Sequence, residues 1–269
     1  QRLLFKKTGV ASNAIGNSND LWTRAGQPSA GAAGAAAPGG TATTSSTTGN
    51  WGYKNPATSN TGHFLAGDVP ASVLNNTLLV IDQLLRVAKT MNSTATEAVS
   101  GTFSRYQNQT PGADDYIGGN FCFPSNPTTV LAATGHNWTV CQYTDDAGTT
   151  GQSFPSVAGV SACVVGGIDL AAGSGSWFMS LAAGDVGVKA LTQMQCSALV
   201  ATGTIDFVVA HPIAFMPCPV ANLVCIADAL YTAMQLQQVY DNACLSGIEI
   251  AKPATTATNY AGALSLVAE

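Results

Sequence analysis

From residue 62 onward the apolar positions fall in short runs rich in Val, Thr, Phe and Tyr, separated at regular spacing by clusters of turn-forming residues. That pattern predicts short β-strands joined by polar turns. In "NWTVCQY", "TDDAG" and "GQSFPSV" it predicts a strand, a turn and a returning strand, and "GSWFMSLAAGDVGVKALTQMQCSAL" and "GTIDFVVAHPIAFM" continue it. Residues 75–91, "NNTLLVIDQLLRVAKTM", are ambiguous. Leu78, Ile81, Leu84 and Leu85 share one face of a helix, yet the same unbroken apolar run suits a strand buried on both faces. Residues 221–238 predict a helix, with Leu223, Ile226, Leu230 and Met234 near helical spacing. After it, "ACLSGIEIAKP" and "YAGALSLVAE" predict a closing hairpin. The expected fold is mainly β, an antiparallel β-sandwich or jelly-roll-like body with an extended N-terminal arm and at most one or two short helices.

Residues 24–50, "RAGQPSAGAAGAAAPGGTATTSSTTGN", contain no aliphatic side chain larger than Ala. Alone, such a stretch buries too little apolar surface to offset the entropy of ordering it, so something else must hold it. Trp22 lies just before it, and Trp51 and Tyr53 follow it, as large amphipathic anchors. The expected organisation is an arm over 1–62, a β body over 63–216, and a short helix with the closing hairpin over 217–269. Two destinations are open for the arm: a neighbouring subunit or the chain's own body. The docking hypothesis names Leu3, Leu4, Phe5, Leu21, Trp22, Gly26, Pro28, Gly31, Trp51 and Tyr53 as interface residues.

Charge changes the picture most. Asp, Glu, Lys and Arg make up only 9% of the 269 residues, against about 25% in an ordinary soluble domain. A surface so poor in charge points to a component covered by neighbours; solvation by abundant Thr, Ser and Asn is the competing explanation. With 10 Lys and Arg and a net charge of −5, clustered phosphate neutralisation is excluded, so direct nucleic-acid binding is not expected. No apolar run approaches the roughly 20 residues of a membrane-spanning helix, and no membrane partner is expected. Cys122, Cys141, Cys163, Cys196, Cys218, Cys225 and Cys244 are odd in number and lack C-x-x-C spacing, which predicts reduced, buried thiols of cytosolic manufacture.

The order "LW", "GQPSAG", small-residue tether, "TLLVIDQLL", "SRYQN", "LAAGDVGVKAL", "TGTIDFVVAHPIA" and "VYDNACL" resembles a group of tailed-bacteriophage virion structural proteins over nearly the whole chain. The matching positions are Trp22, Gly26, Pro28, Gly31, Asp82, Arg105, Tyr106, Gly184, Asp185, Gly187, Val188, Tyr240, Asp241, Cys244 and Leu245. Gln83 departs from the group, which has Arg there. The resemblance implies a strand over 75–91. It also implies a place in the virion for a chain synthesised in the bacterial host cytoplasm. Decoration of the capsid exterior goes one step further, and is inferred from the tether and the scarce charge. The expectation is a cement protein, a homo-oligomer with a trimer as the expected form, contacting the major capsid protein. A tail spike or fibre module and a virion polysaccharide-degrading enzyme are the alternatives.

Catalytic signals are sparse, and no catalytic, cofactor or metal residue is expected. The chain has no G-x-S-x-G elbow, phosphate loop or H-E-x-x-H helix. His63, His136 and His211 have no evident nucleophile beside them; His136 reads as a turn residue and His211 as the end of a strand. Asp114–Asp115 and Asp145–Asp146 read as turn chemistry rather than calcium loops. Glu97, Glu249 and Glu269 fall in predicted strands or tails, not across a cleft.

Overall fold

The computed structural model describes residues 1–56, 61–107, 118–171, 176–230 and 236–268. Ten strands of four or more residues organise them: β1 (Arg2–Thr8), β2 (Gly62–Pro70), β3 (Asn76–Thr90), β4 (Phe121–Ser125), β5 (Gln142–Asp145), β6 (Val188–Met194), β7 (Thr204–Cys218), β8 (Val224–Asp228), β9 (Leu245–Ile250) and β10 (Asn259–Ala268). Alternation in "RLLFKKT" turns Leu3, Phe5 and Lys7 inward and leaves Leu4 72% exposed, the period-2 pattern of a strand covered on one face. The fold is mainly β, with antiparallel sheets curled into half-barrels.

One sheet runs β8-β2-β10-β1, and a second runs β9-β3-β7-β4, all antiparallel. A third pairs β5 with β6, flanked by Gln152–Ser153 and Glu97–Ala98. Apolar side chains of all three meet in one continuous core. The strand expected over 75–91 is β3, paired with β7 from Asn76–Cys218 to Thr90–Thr204. Its helical-looking pattern has a simple cause: β3 is covered on both faces, so its apolar residues need not alternate.

Elsewhere the structure departs from expectation. Val224–Asp228, inside the predicted helix 221–238, is a strand, while residues 231–235 lie outside the described residues. The predicted closing hairpin does not form, because β9 joins the second sheet and β10 the first. The arm does not stand apart either. β1 pairs with β10 over seven residues, and strands from all three predicted segments share the first sheet.

The small-residue run answers its own entropy problem by completing β3. Along one edge, β9 covers Thr77–Asp82. Beyond it, Ala35–Ala36 and Thr41–Ala42 pair with Leu85–Ala88 and supply the missing backbone partners. Small side chains are required there. A Cβ on Gly31 would lie 2.0 Å from the Trp22 ring, and one on Gly34 would lie 2.7 Å from the Arg86 carbonyl. The tether thus adds strands to the chain's own sheet.

Candidate functional site

The charges that β3 carries into the core must find partners, and their partners position much of the molecule. Arg86 is buried; its Nε donates to Asp206 Oδ2 at 3.0 Å, and Nη1 and Nη2 each donate to Asp20 Oδ2 at 3.0 Å. Asp206 Oδ2 also accepts the Gly34 N–H at 2.9 Å, fixing the tether. Four positions ahead, Asp82 accepts Arg105 Nε and Nη2 at 2.8 Å and the Cys244 N–H at 2.7 Å. Burial raises the Asp82 carboxyl, while Arg105 pulls it back. Gln83, where the phage group has Arg, makes no ion pair of its own and instead accepts Arg86 Nη1 at 2.7 Å through Oε1.

Five residues of the resemblance thereby converge. Tyr106 stacks on His211 at 3.9 Å and meets Tyr240 edge-on at 4.6 Å, beside the Asp82–Arg105 pair and Cys244. His211 lies within β7 rather than at its end. Its Nδ1 faces Asn120 Oδ1 at 2.8 Å, its Nε2 faces Gln237 Nε2 at 3.0 Å, and burial pushes its pKa down to about 3. This is a neutral structural ring with both nitrogens occupied.

His136 is the opposite case. Its Nε2 meets Asp169 Oδ2 at 2.8 Å and its Nδ1 meets the Thr134 carbonyl at 3.0 Å, so two acceptors face two ring nitrogens. Only the doubly protonated ring satisfies both. Burial would lower its pKa, but the Asp169 hydrogen bond and charge, with the Thr134 carbonyl, outweigh it, and the pKa rises above 6.5. A base raised on folding stabilises below its ordinary value and loses that contribution as pH climbs through the raised one. Urea unfolding of the wild type and His136→Gln is therefore expected to differ more at pH 6 than at pH 9; a constant difference contradicts the ion pair.

The other acidic candidates are also engaged. Asp145 Oδ1 accepts the Thr149 N–H at 2.6 Å and its carbonyl accepts the Gly148 N–H at 3.1 Å, a side-chain-braced turn. Glu97 pairs with Lys89 at 2.7 Å, and Glu249 accepts from Asn19 and Asn76 in the core. Asp114, Asp115 and Glu269 lie outside the described residues. Among the described residues, no three His, Cys, Asp or Glu side chains gather as metal ligands.

The interface candidates from the arm are drawn inward. Leu3, Phe5, Leu21, Trp22, Trp51 and Tyr53 are buried in the chain's own core, with Phe5 stacked on Trp51 at 4.1 Å and Trp22 Nε1 donating to the Ala32 carbonyl at 2.8 Å. Leu4 and Gly26 stay exposed, and Pro28 and Gly31 are half-buried. The anchors therefore hold the tether to its home domain, and six of the ten candidates are closed to a partner in this fold.

A different surface is open. β8 ends the first sheet, and its outer edge has no strand partner among the described residues. Val224 and Ile226 point outward from it, Ile226 being 69% exposed. Leu223, Leu230, Phe215, Val220 and Leu74 are exposed around them. Hydrogen bonds from Asn75 N to the Pro219 carbonyl and from Asn222 N to the Ala71 carbonyl bring the loops that carry Leu74 and Val220 together. Between β7 and β8 lies an apolar hollow of ≈ 250 Å³ lined by Phe64, Ile213, Phe215 and Ile226. All seven are between 48% and 69% exposed, and an apolar patch of several hundred Å² marks an interaction surface. "VCIAD" carries none of the Lys or Pro that usually protects an edge strand. Sequence reading missed this surface because its apolar spacing matched a helix.

Burial also removes charge from the exterior. Of 25 charged residues, 12 are buried and three lie outside the described residues, which leaves ten to solvate the described surface. No protein-family model, curated protein or solved structure matches the chain.

Proposed function

We propose that the chain is a structural virion protein of a tailed phage, a decoration protein that binds the outside of the head and reinforces contacts between major capsid subunits. The carrying observation is the apolar edge at β8, which has no strand partner among the described residues, on a molecule with ten charges on its described exterior. An unguarded edge strand offers backbone donors and acceptors to a neighbouring strand, and the surrounding side chains add area. With so few ions involved, such a contact is insensitive to salt. In this reading β8 and its flanking loops, rather than the N-terminal arm, face the shell or sibling subunits, and a trimeric arrangement around a local three-fold is part of the proposal.

The test is co-sedimentation with undecorated shells of the phage that encodes the chain. Wild type is expected at hundreds of copies per particle, and Leu223→Asp with Ile226→Asp is expected to reduce occupancy at least tenfold, since two apolar contacts of about 1.5–3 kcal/mol each are lost. Far-ultraviolet circular dichroism checks that the variant is folded. Equal occupancy of both proteins removes β8 from the contact, and a wild-type copy number like that of tail proteins removes decoration.

A further inference from the structure

Seven thiols are free, and six of them are buried. Cys225 is the exception, half-exposed on β8. It stands opposite Val69 in the ladder between β8 and β2, and Cys218 Sγ, at the end of β7, lies 3.7 Å from the Val69 carbonyl. Both thiols therefore stand beside Val69, one opposite it in the ladder and the other against its carbonyl. One thiol thus belongs to the last residue of the second sheet's β7 and the other to the edge strand of the first sheet. Only Pro219–Leu223 and Val224 separate them in sequence.

We propose that Cys218 and Cys225 form an oxidant-responsive disulfide that staples the edge strand β8 to the end of β7. The oxidant is a low-molecular-weight disulfide such as oxidised glutathione. The Cys225 thiolate, the one reached by solvent, attacks a glutathione sulfur; a Cys225–glutathione disulfide forms and one glutathione thiolate leaves. The Cys218 thiolate then attacks Cys225 Sγ, closing the protein disulfide and expelling the second glutathione. The chain gives up two electrons and two protons, and the oxidant becomes two thiols. The second step is the slower one, because burial, the largest cause, pushes the Cys218 thiol up and leaves little of it as thiolate.

The consequence is mechanical. In the reduced chain β8 is held by its ladder to β2 on one side. Oxidised, it is tied to both sheets, so the apolar edge is fixed when the protein passes from a reducing cytosol to an oxidising medium. This inference rests on the thiol geometry and stands or falls independently of capsid decoration.

The experiment treats the folded, full chain with oxidised glutathione, followed by intact-mass measurement, peptide mapping and amide hydrogen exchange. Expected are a mass loss of about 2 Da, one cross-linked peptide joining Cys218 to Cys225, and exchange at Val224–Asp228 slowed at least tenfold. Cys225→Ser, at a half-exposed position that the fold tolerates, is expected to show no mass loss and no slowing. Glutathione retained on Cys225 without closure, a bond between other cysteines, or no reaction at the wild-type chain each overturns the proposal.

Discussion

Arg86→Met is expected to lower the free energy of unfolding by about 3–5 kcal/mol at pH 7, the scale for removing one partner from a buried ion pair. Arg86 is the cation directly between Asp20 and Asp206. Without it, Asp20 Oδ2 keeps the Ser125 hydroxyl at 2.8 Å and Asp206 Oδ2 keeps the Gly34 N–H at 2.9 Å, which cannot neutralise two desolvated charges. The Asp20→Asn, Arg86→Met, Asp206→Asn triple variant removes all three charges and is expected to lose less than the single change. Urea unfolding followed by Trp fluorescence at pH 7 measures both. A single variant that loses under about 1 kcal/mol, or no more than the triple variant, would show that the triad is not what holds β3 to β7 and the tether.

How far this was readable in the sequence depends on whether the signal is local. The β class is local: "RLLFKKT" alternates, and "TDDAG" carries its own turn chemistry in Asp145 and Gly148. The Arg86 triad is not. Its partners lie 66 and 120 residues away, and no short-range pattern names them. The tether was legible as a segment needing a partner, but composition is the same whether the partner is another subunit or β3, and the close approaches at Gly31 and Gly34 emerge only from the fold. Residues 221–230 misled for another reason. Leu223, Ile226 and Leu230 do form an apolar stripe, but all three are exposed, so the spacing describes a surface rather than a helix face turned to the core. The ordered motifs of the resemblance carried the most positional information: Asp82, Arg105, Tyr106, Tyr240 and Cys244 are scattered in sequence and adjacent in space.

That cluster gives the second large effect. Arg105→Leu is expected to cost about 3–5 kcal/mol at pH 7, because Arg105 ties three segments through one guanidinium. Its Nη2 donates to Asp82 Oδ1 at 2.8 Å, the Thr43 carbonyl at 2.9 Å and the Gln83 carbonyl at 2.6 Å, while Asp82 in turn holds the Cys244 N–H that leads into β9. Lys cannot reproduce the paired contact of Nε and Nη2 with the two Asp82 oxygens, so Arg105→Lys is expected to recover less than half of the loss. The pH dependence identifies the cause. Burial already raises the Asp82 carboxyl, and Arg105 is the strongest influence lowering it. In Arg105→Leu that restraint is gone, so the folded state binds a proton where the unfolded chain does not, and stability falls as pH rises from the ordinary carboxylate value of 3.8 through the raised one. The loss relative to wild type should therefore be small near pH 4 and full by pH 7, and adding Asp82→Asn should flatten it. A loss independent of pH would assign Arg105 to packing alone, and the buried carboxylate would then have to be stabilised by the Cys244 amide without its cation.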